Sequence, residues 1–263
     1  MNNSPIGVFD SGMGGLSVAS EILKVLPEES VAYFADFAHV PYGERPYSEI
    51  RSFALAISEF LVSRGAKAIV MACNVSSAVA MDTVRERFPR IPVIGMIKSG
   101  AKAAVAAAAG KPVGVLATTG TIKSKAYDAE IAKLAPEIPV FGVGCPRFVP
   151  LVEAGKTHSP EAMEAAREYA EPLTKADCGT IVLGCTHYPF LADAVRAAAP
   201  KAKLINPAEE AASYLKQTLE RLDLLSAEKT GDKFYASGEN KNFLTLGSEF
   251  LGEEIHAVKY VTL

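Results

Sequence analysis

The sequence has no excess of positive charge, because 27 Lys and Arg residues are balanced by 30 Asp and Glu residues and leave a net charge of −3. Proteins that bind nucleic acid usually present clustered basic residues to the phosphate backbone. We therefore expect no nucleic-acid partner. Hydrophobic residues make up 49% of the 263 positions, which is enough for a sizeable buried core in one large domain or two small ones.

Long apolar runs and a secretory signal are also missing. The alanine-rich stretch AKAAVAAAAG (101–110) is far shorter than the roughly 18 residues that a membrane-crossing helix needs. The first ten residues, MNNSPIGVFD, contain no basic region followed by an apolar core. We therefore expect a cytoplasmic protein that makes no contact with a membrane.

Cysteine is scarce, and no C-x-x-C pair is present. The four residues, Cys73, Cys145, Cys178 and Cys185, are expected to be reduced thiols, without a zinc knuckle or a thioredoxin-type redox site. We assign Cys145 and Cys178 to packing. A G-x-G-x-x-G dinucleotide motif is absent as well, so the sequence does not support NAD, and we expect no cofactor.

What the sequence does contain is a regular alternation of short β-branched runs and longer segments with helical periodicity. Such alternation predicts parallel sheets covered by helices, with functional loops beyond the C-terminal ends of the strands. The predicted strands are 6–10, 31–36, 68–73, 92–97, 112–118, 140–144, 180–185 and 203–207. The predicted helices lie near 15–26, 47–64, 77–88, 99–109, 121–134, 160–175, 189–199 and 208–222.

The two halves of the chain resemble each other. IGVFDSGMGG (6–15) aligns with VGVLATTGTI (113–122), IVMACN (69–74) with IVLGCT (181–186), and PVIG (92–95) with KLIN (203–206). The three matches keep their order and a nearly constant offset of about 110 residues, which indicates an internal duplication. We predict an α/β protein of two pseudo-symmetric lobes, each a mostly parallel sheet flanked by helices, with the active site in the cleft between them. Residues 208–263 have no counterpart. They carry one predicted helix and strands near 234–238 and 255–261, and we expect them to pack on the first lobe.

The duplication places two cysteines in matching positions, because Cys73 and Cys185 each end an apolar strand. A cysteine at a helix N-terminus has a lowered pKa, and we expect this of Cys73. A buried packing role is the alternative for either thiol. His187 follows Cys185 by two residues and can tune that thiol or relay protons, although a single histidine is often structural.

Other loops carry polar side chains at the predicted strand ends. Asp10 is followed by Ser11 and several glycines, so the loop is either an anion-binding site with a charged partner or a tight strand-to-helix turn. Thr118 stands at the equivalent place in the second half, where it is either a site residue or a helix N-cap. Glu153 is either an acid behind the site or a solvated carboxylate.

Two thiols without a cofactor suit the inversion of a carbon centre. One thiolate removes a proton from one face of the carbon, and the other thiol donates a proton to the opposite face. The carbon acid is weak, so the site must supply donors that stabilise negative charge. A zinc site formed by Cys73, Cys185 and His187 is the rival use, but the usual fourth ligand is missing.

These residues carry a family resemblance. DSGMGGLS (10–17), PYG (41–43), ACN (72–74), the CP…VP…EAG segment (145–155) and GCTHYP (184–189) resemble the glutamate racemases of the aspartate/glutamate racemase superfamily. The resemblance runs from about residue 6 to residue 211. It implies cofactor-independent interconversion of L- and D-glutamate, a supply of D-glutamate for peptidoglycan, and a homodimer. It also implies a first lobe of residues 1–97 plus 208–263 and a second lobe of residues 98–207.

The resemblance also implies roles for individual residues. Cys73 and Cys185 resemble the two catalytic acid/bases, with Cys73 acting on the D form and Cys185 on the L form. Asp10 and His187 resemble their helpers, and Glu153 is a further catalytic candidate. The residues that resemble the family's substrate-binding positions are Asp10, Ser11, Pro41, Tyr42, Gly43, Asn74, Val75, Thr118, Thr186 and His187.

The chain departs from the family pattern in places. Val75 stands where the family usually has threonine, so a hydroxyl is lost from the expected substrate wall, and Asn206 stands where an acid is more usual. The chain also begins almost directly with the first strand, so we expect no regulation through the N-terminal extension that some relatives use to bind a cell-wall precursor.

Three rival functions remain open from the sequence. Val75 motivates a racemase for another amino acid, such as aspartate. Cys185 and His187 could also be the nucleophile and base of a thiol hydrolase, which leaves Cys73 without a role. The third rival is a non-catalytic amino-acid-binding protein on the same two-lobed frame.

Overall fold

The computed structural model describes residues 2–263, and its strands form two β-sheets in which neighbouring strands are parallel. Helices flank both sheets, so the predicted α/β fold class is confirmed. The strands are β1 Ile6–Asp10, β2 Val31–Ala35, β3 Ala68–Met71, β4 Val93–Gly95, β5 Val113–Ala117, β6 Val140–Gly144, β7 Thr180–Gly184, β8 Lys203–Ile205, β9 Lys233–Ala236 and β10 Lys259–Tyr260.

Helices connect successive strands. The α-helices are α1 Leu16–Val25, α2 Tyr47–Ser63, α3 Asn74–Arg87, α4 Met96–Ala108, α5 Thr119–Ser124, α6 Ala126–Leu134, α7 Phe148–Glu153, α8 Pro160–Lys175, α9 Ala192–Ala198, α10 Pro207–Arg221 and α11 Phe243–Leu251. Short 3₁₀ helices lie at Phe37–His39, Tyr42–Glu44 and Tyr188–Leu191. Among the described residues, no helix combines the length and the apolar character that a membrane crossing requires.

Four strands of the first sheet, β2-β1-β3-β4, follow the same order as the four strands of the second sheet. The first sheet runs β10-β9-β2-β1-β3-β4 and the second runs β6-β5-β7-β8. Strand β1 therefore lies between β2 and β3, just as β5 lies between β6 and β7. The strand pairs that the sequence aligned, β1 with β5, β3 with β7 and β4 with β8, occupy equivalent places. This shared order supports an internal duplication.

The central strands consist mainly of apolar residues because helices cover both faces of each sheet. Every residue of β1, β2, β3, β5 and β7 is buried. Strand β6 is different, because it forms an edge of the second sheet and its residues are half-buried or exposed. Because the strands are parallel, Asp10 at the end of β1 and Cys73 after β3 lie at the C-terminal end of the first sheet. Thr118 after β5 and Cys185 after β7 lie at the equivalent end of the second sheet.

The tail of the chain returns to the first sheet. Strand β9 pairs with β2, and β10 pairs with β9. The chain before β9 is held by a buried ion pair, in which Lys67 Nζ lies 2.7 Å from Glu29 Oε2. Ser226, which follows α10, donates its backbone N–H and its hydroxyl to Glu29 at 2.9 and 2.8 Å. The first sheet is therefore built from both ends of the chain.

Several predicted elements differ from the structure. The single helix predicted at 121–134 is divided into α5 and α6, because Lys125 between them has a left-handed backbone with φ of 57°. The helix predicted at 189–199 begins as a 3₁₀ turn. The final strand predicted at 255–261 is limited to β10, and the tail contains a second helix, α11, that was not predicted. Helix α7 was missed as well.

The division into lobes at 97/98 and 207/208 remains a proposal, and Met1 of the proposed first lobe lies outside the described residues. The strands of the second sheet lie between residues 113 and 205, which is compatible with this division. Helix α10 packs against both α1 and α4, so it bridges the proposed lobes. Asn206 caps α10 and accepts a hydrogen bond from the backbone of Ala208 at 3.2 Å.

Candidate active site

A cavity of about 350 Å³ lies between the C-terminal ends of the two sheets. This volume is in the range of small-molecule sites, which are clefts of roughly 300–1,000 Å³. Every residue that the sequence proposed for the site lines this cavity, although the role of each residue stays a prediction. The proposed residues in the lining are Asp10, Ser11, Pro41, Tyr42, Gly43, Cys73, Asn74, Val75, Thr118, Glu153, Cys185, Thr186 and His187.

The two thiols reach the cavity from different sheets. Cys73 follows β3 and caps helix α3, and Cys185 follows β7, the duplicate strand. Burial raises the pKa of Cys73 to about 12, helped by the charges of Asp10 and Cys185 and opposed by hydrogen bonds from the Ser76 backbone and the Ser11 side chain. The predicted lowering of the Cys73 pKa is therefore wrong, because desolvation outweighs the helix N-terminus. At neutral pH Cys73 is a neutral thiol, suited to donate a proton.

Asp10 is a buried carboxylate at the end of β1. Its Oδ2 accepts hydrogen bonds from the backbone N–H groups of Gly12 and Gly15 at 3.2 and 3.1 Å. Burial raises the pKa of Asp10, opposed by the charge of His187 and by the backbone N–H groups. Its Oδ1 has no hydrogen-bond partner among residues 2–263. A buried carboxylate oxygen without a donor is costly.

His187 connects one thiol to a carboxylate. Its Nδ1 lies 3.9 Å from Cys185 Sγ and its Nε2 lies 3.2 Å from Glu153 Oε1. Burial alone lowers the pKa of His187, but its hydrogen bonds to Cys185 and Glu153 and the charges of Cys185 and Asp10 raise that pKa to about 10. The contacts of His187 with Cys185 and Glu153 thus favour a positively charged ring beside the Cys185 sulfur.

The loop at 41–43 is fixed by Asp36, a buried acid that was not predicted from the sequence. Asp36 accepts hydrogen bonds from the Tyr42 hydroxyl and, at 2.6 Å, from the Ser237 hydroxyl. Its side chain also contacts His39 Nδ1 at 2.9 Å. The signal was present in the sequence, because VAYFAD (31–36) ends in an aspartate just as IGVFD does. Asp36 thus ties a wall of the cavity to the tail of the chain.

Hydrogen bonds also join the two halves around the cavity. The Ser17 hydroxyl donates to the Thr186 carbonyl at 3.0 Å, and the Tyr47 hydroxyl donates to the Gly120 carbonyl at 3.0 Å. The Tyr127 hydroxyl on α6 donates to Oδ1 of Asn74 at 2.8 Å. These bonds join residues of the first half of the chain to residues of the second half.

The lining residues within the described chain include no Lys and no Arg to pair with an acidic ligand. Amide, hydroxyl and backbone donors, the N-terminus of α3 and the His187 charge would have to hold any carboxylate. Among residues 2–263 no group of three or more His, Cys, Asp or Glu side chains is placed to hold a metal ion.

Some lining residues were not proposed from the sequence. Cys145, which was assigned to packing, borders the cavity as a third thiol, and burial raises its pKa. Val75, by contrast, was proposed and lies buried against Tyr42 and Cys73, where it presents methyl groups instead of a hydroxyl. The other lining residues are Gly12, Val40, Glu44, Thr119, Pro146, Val149, Pro150 and Gly184. Most are apolar or glycine, and several of them, such as Gly12, Pro146 and Gly184, lie within the motifs that carry the family resemblance without having been proposed as site residues.

Known proteins resemble this chain over its full length. The Asp/Glu/Hydantoin racemase family matches residues 6–215. A glutamate racemase of Corynebacterium diphtheriae is 42% identical over 262 residues, which cover 98% of each sequence. A glutamate racemase of a Nostoc species is 44% identical and covers 95% of this chain and 85% of that protein. The crystal structure of glutamate racemase from Francisella tularensis in complex with D-glutamate has a TM-score of 0.94 at 35% identity and covers 100% of this chain and 98% of that one.

Proposed function

Because the chain belongs to the glutamate racemases, within the Asp/Glu/Hydantoin racemase family, and is therefore an isomerase, we propose that it interconverts L- and D-glutamate with two thiols and no cofactor. The observation that carries the proposal is that Cys73 and Cys185 follow duplicate strands and line one cavity from the two sheets. The D-glutamate bound to the Francisella tularensis relative supports glutamate as the substrate.

The proposed reaction needs one base and one acid in each direction. From L-glutamate, the Cys185 thiolate takes the α-proton, so that the C–H bond breaks and an S–H bond forms. The Cys73 thiol then delivers its own proton to the opposite face, which leaves D-glutamate and a Cys73 thiolate. The reverse direction exchanges the two roles. The high pKa of Cys73 suits its role as the donor in the first direction.

The helpers in this proposal are the charged groups beside each sulfur. The imidazolium of His187 stabilises a negative charge on Cys185, and Glu153 holds the ring in place. Asp10, whose charge acts on Cys73, would take the proton of that thiol when Cys73 serves as base. Asp10 lines the cavity, so its carboxylate would also receive the substrate ammonium group.

The carboxylates of the substrate would be held by neutral donors. We assign this role to Ser11, Asn74, Thr118 and Thr186 and to the backbone of the 41–43 loop, all of which line the cavity. Such donors also stabilise the charge that develops when the α-proton leaves. Val75 lowers the number of donors, because its side chain has no hydroxyl, so aspartate remains a second candidate substrate. Membership in a racemase family does not support the thiol hydrolase or the non-catalytic binding protein.

The cellular part of the proposal follows from the activity. D-glutamate made by this protein would supply peptidoglycan synthesis in the cytoplasm, and the active species would be a homodimer. Light scattering on the purified protein tests the homodimer, and a single-chain mass in the presence of glutamate would contradict it.

The deciding experiment is incubation with L-glutamate in D₂O without added cofactor. Proton NMR follows loss of the α-proton, and optical rotation follows inversion in parallel. Loss of both signals is expected. Exchange of the α-proton with retained optical rotation would contradict the two-face mechanism. If L-glutamate shows no change but L-aspartate is turned over, aspartate would replace glutamate as the proposed substrate.

A further inference from the structure

Tyr127 lies behind the cavity wall and makes one side-chain hydrogen bond within the described chain. Its hydroxyl donates to Oδ1 of Asn74 at 2.8 Å. Tyr127 does not line the cavity, whereas Asn74 does. Both residues are buried, with 2% and 4% of their surfaces exposed. The bond crosses from α6 in the second half of the chain to the first residue of α3 in the first half.

This hydrogen bond decides which way the Asn74 amide points. A tyrosine hydroxyl carries one proton, and an asparagine amide has one acceptor side and one donor side. If the amide were turned over, the Tyr127 hydroxyl would accept from the amide nitrogen, and its own buried proton would have no acceptor among its described neighbours. Leaving a buried donor unsatisfied costs about 1–3 kcal/mol. The hydroxyl therefore donates to Oδ1, and the amide nitrogen remains free for the cavity.

The fold makes room for the Tyr127 ring at two glycines. A Cβ on Gly100 of α4 would lie 2.9 Å from the Tyr127 hydroxyl oxygen. A Cβ on Gly184 of β7 would lie 3.3 Å from the Cε2 atom of the ring. The ring therefore passes between α4 and the end of β7, where side chains larger than hydrogen would displace it. This close packing fixes the hydroxyl as well as the ring.

We propose that Tyr127 is a positioning residue that holds the Asn74 amide with its nitrogen toward the cavity, so that the site receives a carboxylate through a neutral donor. The inference rests on the proposed function for the identity of the ligand. It matters in this cavity because the described lining has no Lys or Arg, so each neutral donor carries a larger share of carboxylate binding. An amide turned the other way would present its oxygen to a carboxylate and repel it.

The test is the Tyr127→Phe variant, which removes one oxygen atom and keeps the ring. Calorimetry with an equal mixture of D- and L-glutamate measures the dissociation constant without net turnover. We expect an increase of about tenfold, because one charge-assisted hydrogen bond loses its fixed geometry. In the Asn74→Ala background, the same Tyr127→Phe change should alter the dissociation constant by less than about twofold, since Tyr127 then has no amide to orient.

Tyr47→Phe is the matched control, because Tyr47 also donates its hydroxyl across the two halves but contacts the Gly120 carbonyl instead of Asn74. Its dissociation constant should stay near the wild-type value. A change below twofold in Tyr127→Phe, an equal loss in the Asn74→Ala background, or an equal loss in Tyr47→Phe would each overturn the inference. Racemisation of glutamate by the wild type is a separate readout. A protein that binds glutamate but does not racemise it contradicts the proposed function alone.

Discussion

Oε1 of Glu153 lies 3.2 Å from Nε2 of His187, while Nδ1 of the same ring is directed to Cys185. The histidine is buried, whereas 44% of the Glu153 side chain is exposed. The carboxylate thus reaches in from solvent to one ring nitrogen, while the other lies near both Cys185 Sγ and Thr186 Oγ1. This arrangement fixes the ring and favours its positive charge, which is the form that would stabilise a thiolate.

Glu153→Gln is expected to change the pH profile of racemisation. Glu153 raises the pKa of His187, so its neutral replacement lowers that pKa from about 10. If the charged ring supports Cys185, the alkaline limb of log kcat/KM moves to lower pH. Glu168→Gln is the control, because Glu168 pairs with Arg147 and not with His187. An unmoved alkaline limb in Glu153→Gln would show that the charge of His187 is not required.

Removal of either thiol should separate proton exchange from inversion. Cys73→Ala and Cys185→Ala should each lower racemisation by about 10²–10⁴-fold, because each direction needs both groups. In D₂O, Cys185→Ala should still exchange the α-proton of D-glutamate, and Cys73→Ala that of L-glutamate. NMR with each pure enantiomer measures this. Cys178→Ala is the control, because Cys178 lies outside the cavity lining. Full racemisation by either site variant would rule out the two-thiol mechanism.

Gly14→Ala tests the close approach between the Asp10 loop and His187. A Cβ at Gly14 would lie 2.4 Å from Cε1 and Nδ1 of His187 and 2.5 Å from Oγ1 of Thr186. We expect destabilisation of about 1–3 kcal/mol from overpacking, together with a lower kcat, because His187 is displaced. Urea unfolding and turnover measure the two effects. For stability the comparison is Gly12→Ala, whose Cβ would meet no atom closer than 3.6 Å. Equal stability of Gly14→Ala and the wild type would contradict the packing.

Lys67→Met tests the buried ion pair that holds the tail. The side chains of Lys67 and Glu29 are 2% and 1% exposed. Loss of one partner leaves a buried charge without compensation and should cost about 3–5 kcal/mol in the free energy of unfolding. Lys111→Met removes an exposed pair with Asp177 and should change that free energy by at most about 0.5 kcal/mol. Urea unfolding of both variants checks the contrast, and equal losses would show that burial of the pair is unimportant.

The sequence predicted the parallel sheets and the composition of the cavity wall because both depend on local patterns. An apolar strand that ends in a polar loop residue places that residue at the C-terminal edge of a parallel sheet, and this holds for Asp10, Cys73 and Cys185. The duplication then predicted that two such edges are equivalent. Residue types at strand ends were therefore sufficient to select Asp10, Cys73 and Cys185, whereas Pro41, Tyr42, Gly43 and Val75 were selected through the family resemblance.

Features set by tertiary contacts were not available from the sequence. The pKa of Cys73 depends on complete burial beside Asp10, which outweighs the local effect of the helix N-terminus. Helix α11 contains Gly247, which lowers helix propensity, and its Phe250 stacks on the distant Phe190. The role of Asp36 depends on Ser237, which lies 201 residues further along the chain.

The return of the tail to the first sheet has a consequence for synthesis of the chain on the ribosome. Strand β2 cannot gain its outer neighbour until residues 233–236 have been made, and Asp232 accepts the backbone N–H of Val31 across 201 residues. The second sheet needs only residues 113–205, so it can form while the tail is still being translated. Contacts between such distant segments form slowly, and domains tend to fold as units during synthesis. The nascent protein would therefore gain a complete first sheet only after its second sheet, near the end of translation.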